Sequence, residues 1–331
     1  MALNDYLAEE ITLDHADGHI SRREALRLLM LLGVAAPLAS GLLDAGSADA
    51  ATKKTVPKKK PAAKPTPTPT TTVRPKTATT SSTSAAPTTL AQTATTGPAS
   101  SASTTRSVSP TSISFAGPAG QLFGSFAAAD KPKGAVLIIH ENRGLTDHFM
   151  ALPGRFAADG YSALAIDLAS RVGGTAAVAS QMPAPLANAR GEDLVADMKA
   201  GLDELAKRTP GVKLAVTGFC FGGGMVWSLL DAGDPRLAAG VPFYGTGPAD
   251  ADFTRSPNAA VMAIYAELDS RVNANRPAMT AALEKAKLVH QIVTVPGVDH
   301  AFFNDTGARY NATQTAATYA KMLDWFAKHL A

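Results

Sequence analysis

One cysteine, Cys220, occurs in 331 residues, within the run VTGFCFGGGMVW that spans Val216 to Trp227. Gly218-Phe219-Cys220-Phe221-Gly222 has the pattern G-x-C-x-G, which sets a nucleophile on a sharp turn from strand to helix. Small residues two positions to either side let the flanking backbone pack closely. The helix that follows points its first N–H groups and the positive end of its dipole at the sulfur, which favours the thiolate. The N–H of Phe221 is then an oxyanion donor. The plainer reading is a small buried cysteine in a core turn. A lone cysteine closes no internal disulfide, so this thiol is either inert in the core or placed for chemistry.

A nucleophilic thiol needs a base, and the base needs an orienting group. Three histidines follow Cys220: His290 opens an apolar run, His329 ends the chain's last helical pattern, and His300 sits in PGVDHAFFND between them. That loop is where the base of such a fold belongs, so His300 is the candidate base. Asp269 ends the run VMAIYAEL, opens a polar loop and is the candidate acid, with Asp299 and Asp167 as weaker rivals. The plainer reading has Asp269 capping a turn and His300 lining a loop. His140-Glu141 could suggest metal ligation, but Gly144 stands where a helical pair would need its second histidine, and no metal site is expected.

The elements that must position these residues come from patterning. SISFAG and GQLFGSFAAA flank a Pro118–Gly120 turn and predict a hairpin. GAVLIIHE, YSALAIDL, KLAVTGF, AAGVPFYG, VMAIYAELD and HQIVTVPG read as strands, mostly near-continuous apolar runs of the kind buried on both faces. Helical periodicity appears at 146–159, 191–208, in PAMTAALEKAK and in the final TQTAATYAKMLDWFAKHL. Alternating strands and helices predict a mostly parallel sheet covered by helices on both faces.

The remaining sequence has a different character. Residues 1–50 contain Arg22-Arg23 after Ser21, a moderately apolar run from about Leu26 to Leu43 and a small-x-small pattern at Ala48-Asp49-Ala50, the layout of a twin-arginine export signal. Exported, periplasmic or extracellular localisation is expected from it. An amphipathic helix or an uncleaved anchor is the alternative. Residues 51–110 are rich in Thr, Pro, Ala, Ser and Lys, carry seven Lys, two Arg and no acid, and predict a disordered, extended tether. Such an arm is a solvated spacer that could also contact an anionic envelope. It has no aromatic residue, and nucleic-acid binding is not expected. Residues 111–331 then form one catalytic-sized α/β domain, expected to be monomeric.

IIHENRGLTDHF, GFCFGGGMVW, AGVPFYG, YAELDSRV and VPGVDHAFFNDTGARY together resemble the dienelactone hydrolase (carboxymethylenebutenolidase) family over essentially all of residues 112–331. The resemblance implies an α/β-hydrolase fold, a Cys220–Asp269–His300 triad and no cofactor. It also implies that Glu141 helps deprotonate the thiol when substrate binds, and that the N–H of Asn142 completes the oxyanion hole with that of Phe221. Family members that cleave dienelactone hold the substrate carboxylate with two arginines, one of them four residues after the histidine. Asn304 stands at that position, and Arg171 and Arg190 are only loose candidates for the other. The expected activity is hydrolysis of a small ester or lactone through an acyl-thioester, with substrate selection in Ser170–Ala189 and Thr246–Asn258. The rival readings are a non-catalytic, envelope-tethered binding domain and a redox-sensing thiol, the latter weakened by the lack of a resolving cysteine.

Overall fold

The computed structural model describes residues 3–16, 18, 20–54 and 108–331. Apart from its two ends, the tether expected over 51–110 lies outside the described residues. Three helices come first: α1 (Leu3–Ala16), α2 (Arg22–Leu31) and α3 (Ala36–Lys54). The hairpin follows as β1 (Thr111–Gly117) and β2 (Gly120–Ala127), then β3 (Ala135–Ile139), α4 (Asp147–Ala158) and β4 (Ser162–Asp167). Two short helices, α5 (Thr175–Val178) and α6 (Ala184–Ala187), lead into the long α7 (Gly191–Arg208). The remainder is β5 (Leu214–Phe219), α8 (Phe221–Ala232), β6 (Leu237–Phe243), β7 (Ala260–Ala266), α9 (Ser270–Lys285), β8 (His290–Val295) and α10 (Ala312–His329).

The eight strands form one sheet in the order β1-β2-β4-β3-β5-β6-β7-β8. Only the β1–β2 and β2–β4 pairings are antiparallel; β4 through β8 run parallel. β3, β4, β5 and β7 are buried at every residue, as their uninterrupted apolar sequences require once helices cover both faces. α7 buries Leu194, Met198, Leu202 and Leu205 along one stripe, with Glu192 and Asp193 in its first turn and Lys207 and Arg208 in its last, matching the helix dipole. α10 begins where Asn311 accepts from the N–H of Gln314 and buries Thr315, Thr318, Tyr319, Met322 and Phe326.

One boundary differs from the sequence expectation in a way that matters for the site. The helix expected from Pro277 begins seven residues earlier, at Ser270, with Pro277 inside it. Its first turn is polar, and only Val272 is buried before Met279, so periodicity gives no sign of it. The start is set by Asp269, whose carboxylate accepts from the N–H of Val272.

Described side chains of α1, α2 and α3 pack into the core of this sheet domain. Ser21 caps α2 by accepting from the N–H of Glu24, a Ser-x-x-Glu start, and Gly33 ends it at φ 83°. Ala25, Leu28 and Leu29 of α2 and Leu7 and Ile11 of α1 are buried in the same hydrophobic core as the strands. Arg27 donates to the carbonyl of Ser180 at 2.6 Å, and Arg309 donates to Asp14 at 3.0 Å. Arg22 and Arg23 stay exposed. Among the described residues no helix is long and apolar enough to cross a membrane.

The turn from β5 into α8 is closely packed against backbone on both sides. A Cβ on Gly218 would run into the carbonyl of Gly222, and one on Gly222 into the carbonyl of Ile139 in β3. Both obstacles are backbone, which cannot rotate away. Gly222→Ala is therefore expected to destabilise the protein by about 1–3 kcal/mol, the usual cost of overpacking a buried site, read as a lower urea midpoint at unchanged slope.

Candidate active site

Cys220 is the N-cap of α8, with φ 55° and ψ −118°. An L-residue with a side chain rarely adopts positive φ, and the strain is held by neighbours: the Cys220 N–H donates to Phe243 O at 3.1 Å, and its carbonyl accepts from Gly224 N. The orphan N–H groups of the first turn of α8, Phe221 first among them, face the same end of the sheet. Beneath the turn, Phe219 packs against Phe149, Phe243 and Phe303 with ring centroids 4.6–5.7 Å apart, giving the sulfur a rigid apolar floor.

His300 is brought to this point by the loop between β8 and α10. Its Nδ1 donates to Asp269 Oδ2 at 2.6 Å, both groups being buried. Asp269 thus does two things with one carboxylate: Oδ1 caps α9 and Oδ2 fixes the imidazole. The rivals are elsewhere. Asp299 accepts from the backbone N–H of His300 rather than from its ring, and Asp167 accepts from the N–H and hydroxyl of Thr175. His290 bonds the carbonyl of Leu288, and His329 stacks on Trp325.

Burial works to lower the pKa of His300, but the charges of Cys220 and Asp269 and their hydrogen bonds outweigh it and push it up to about 9. Because this lies above the ordinary histidine value, the stability it contributes is complete below about pH 6.5 and is lost as pH rises through about 9. Glu141 follows β3 and is buried; desolvation raises its pKa, against the hydrogen bond from Asn304 and the charge of His300. Asn304 Nδ2 donates to Glu141 Oε2 at 2.8 Å, and Tyr244 donates to Oε1 at 3.4 Å. Asn304 therefore holds a carboxylate of the protein itself. His140 makes no metal site: its Nε2 accepts from Leu168 N at 3.0 Å, its Nδ1 bonds Glu141 O at 2.7 Å, and burial lowers its pKa, so the ring is neutral.

A cavity of about 570 Å³ opens onto these groups, lined by Cys220, His300, Glu141, Asn142, Asn304 and Glu10, with Arg143, Arg309 and Asp14 also in its wall. The segments expected to select substrate, Ser170–Ala189 and Thr246–Asn258, do not line it. Residues 168–193 surround a separate cavity beside Leu31. Arg171 and Arg190 are also displaced from the expected role: Arg171 pairs with Asp193 and Asp197, Arg190 with Glu192 and Asp193, and neither reaches the cavity at Cys220. Both are surface clamps on the start of α7, which local acidic residues make a stronger partner than a distant site.

Three further residues stand at the sulfur that sequence reading missed. Tyr6 Oη is 3.5 Å from Cys220 Sγ, Glu10 is 3.4 Å from His300 Nε2, and Arg271 forms an ion pair with that same Glu10 oxygen. Arg271 lies two residues past Asp269, in the first turn of α9, and the hidden start of that helix concealed it. Tyr6 and Glu10 come from α1, about 200 residues before the elbow, and no spacing signals them. Glu10, Cys220 and His300 bring their ligand atoms within 4.8 Å of one another, but the Arg271 cation on Glu10 opposes a metal ion there.

The sheet order, the elbow and the buried His–Asp pair are those of an α/β-hydrolase, and the family model described as "Dienelactone hydrolase family" matches residues 122–330. The chain belongs to the dienelactone hydrolase family. It is accordingly an ester or lactone hydrolase. A carboxymethylenebutenolidase-like protein of Escherichia coli O157:H7 is 28% identical over 215 residues, covering 61% of this chain and 79% of that protein. A counterpart in Synechocystis sp. is 29% identical over 231 residues, 64% of this chain and 92% of its own length. The crystal structure of a dienelactone hydrolase-type protein from Klebsiella pneumoniae superposes with a TM-score of 0.58 at 26% identity, over 66% of this chain and 98% of the other. The dienelactone hydrolase-like phosphotriesterase P91 from metagenomic libraries shares the fold at a TM-score of 0.58 and 23% identity, over 68% of this chain and all of P91.

Replacing the sulfur tests the electrostatics directly. In Cys220→Ser the charge that Cys220 contributes to raising the His300 pKa is gone, so the imidazole is expected to titrate lower than it does beside the cysteine. Nitrogen-15 NMR of the ring checks this; an unmoved titration would contradict the coupling.

Proposed function

We propose that the chain cleaves a small carboxylic ester or lactone through an acyl-thioester on Cys220. The observation that carries this reading is the buried His300–Asp269 bond at 2.6 Å beside a sulfur held on a strained elbow. A proton on His300 is favoured by Asp269 and by a negative charge on Cys220. The thiolate attacks the carbonyl carbon, and the negative charge that develops on oxygen is met by the N–H groups of Phe221 and Asn142. Collapse breaks the carbon–oxygen ester bond, and His300 gives its proton to the departing alkoxide. The now neutral imidazole takes a proton from water, which attacks the thioester; the thiolate leaves and the acid is released. Glu141, whose basicity is raised by burial, is the further carboxylate able to draw the proton from a neutral thiol. The activity named for the curated relatives, carboxymethylenebutenolidase, supports a lactone among the substrates.

Export is the reading we attach to the N-terminal segment. It is supported by the exposed Arg22-Arg23 pair and the small-x-small pattern at Ala48–Ala50. Signal-dependent appearance of the protein outside the cytoplasm in a fractionation experiment checks it, and wholly cytoplasmic protein refutes it.

Two variants test the chemistry. Cys220→Ala should reduce hydrolysis of p-nitrophenyl acetate by about 10³-fold or more, since removing a nucleophile leaves only the binding and oxyanion contributions. Equal turnover by wild type and variant would remove the mechanism. Asp269→Asn keeps an oxygen to cap α9 but turns an amide N–H₂ towards His300 Nδ1, which forces the other tautomer. The expected outcome is a loss of about 10²–10⁴ in kcat with a melting temperature close to that of the wild type.

A further inference from the structure

Helix α1 brings three groups into contact with the reacting atoms, and each contact is of a kind that hinders turnover. Tyr6 Oη lies against the sulfur that must meet a carbonyl. Burial and Cys220 raise the pKa of its phenol, and a hydroxyl held 3.5 Å from the sulfur lowers the sulfur's nucleophilicity. The Glu10 carboxylate lies 3.4 Å from His300 Nε2, the nitrogen that must pass its proton to a leaving group and then accept one from water. Glu10 is almost wholly buried, with 3% of its side chain exposed, and its counter-ion is Arg271. Among the described residues that guanidinium meets no other acceptor, and its remaining contact is the face of the Tyr6 ring, 4.5 Å away.

These charges are badly served for groups so deeply buried. Nε and Nη1 of Arg271 have no hydrogen-bond partner among the described residues, and Nη2 alone meets Glu10. A guanidinium normally meets a carboxylate through two parallel bonds, and a buried ion pair without them recovers little of its desolvation cost. Arg271 is therefore a planar donor behind Glu10 at the edge of the site, only partly satisfied by the carboxylate on it. A small acid, free to align both oxygens, would satisfy it better than a side chain constrained by a helix.

We propose that Glu10 is a built-in competitor for the active site: its carboxylate occupies an anion-binding position made by Arg271 beside Cys220, and a substrate bearing its own acidic group displaces it. This rests on the hydrolase reading above and deepens it, assigning Arg271 the role of substrate anchor and α1 that of an internal inhibitor. The cavity left beside α1 still reaches Cys220, so small neutral esters retain slow access. A segment with the layout of an export signal would in this way keep the folded precursor restrained, while Arg22 and Arg23 remain exposed.

The test uses the full chain and two alkylating reagents of equal size, iodoacetate and iodoacetamide, which differ only in charge. The ratio of their rates at Cys220 reports an anion-binding group beside the sulfur whether or not the protein hydrolyses anything. In Glu10→Ala the ratio of iodoacetate to iodoacetamide is expected to rise about tenfold or more over wild type, the scale of one charge-assisted contact. Glutarate should slow iodoacetamide in that variant and not in wild type. In the double variant Glu10→Ala, Arg271→Gln both effects should vanish. An unchanged ratio in Glu10→Ala, or a rise that survives loss of Arg271, overturns the anchor. A folded Glu10→Ala variant whose Cys220 reacts more slowly with both reagents would show instead that α1 activates the thiol, and overturns the inhibition. Loss of esterase activity in every variant with the alkylation pattern intact would count against the hydrolase mechanism alone.

Discussion

The backbone at Cys220 is held at φ 55° between a strand and a helix that are both buried, and the rest of the site is arranged around that turn. Positive φ at a residue with a side chain costs free energy that must be recovered elsewhere. It is recovered from Phe243 O, from the α8 hydrogen bonds and from a layer of phenylalanine rings under the turn. Gly218 and Gly222 let β3, β5 and α8 approach closely enough for those contacts to form. The same approach places the start of a helix, with its unpaired N–H groups, where charge develops on a substrate carbonyl.

Around the sulfur the protein concentrates charge in a place with little water to screen it. Cys220, Asp269, His300, Glu141 and Glu10 are all buried, and Arg271 brings a permanent cation to Glu10. Each carboxylate is assigned by geometry to a separate partner: Asp269 to His300 and the α9 cap, Glu141 to Asn304 and Tyr244, Glu10 to Arg271. The first two arrangements lie within the sheet domain and are saturated with hydrogen bonds. The third crosses from α1 and is not, which makes it the weakest point in the network and the natural one to yield to a ligand.

Asn304 shows how one substitution redirects a site. Where the resemblance leads one to expect a guanidinium for the substrate, the amide is turned inwards onto Glu141. Arg271 brings a cation to Glu10 beside His300, and Arg143 and Arg309 line the cavity itself.

The elbow, the strands that carry it and the His300–Asp269 pair were legible in the chain because each rests on a short-range rule. Continuous apolar runs demand burial on both faces, G-x-C-x-G demands a tight turn, and the last loops of such a sheet fall near its carboxyl ends. The start of α9 was not legible, since a polar first turn held by one capping carboxylate has no periodicity. Nor were the positions of Tyr6 and Glu10: Ser21-Arg22-Arg23-Glu24 is at once an export-like pair and a helix-capping sequence, and local pattern cannot choose between them. What the sequence by itself determined was the elbow that carries the cysteine and the sheet that presents it. Only the tertiary structure decided which distant side chains share the sulfur's surroundings, because burial of α1 against the domain depends on shape and charge complementarity between segments about 200 residues apart, and no local periodicity encodes that.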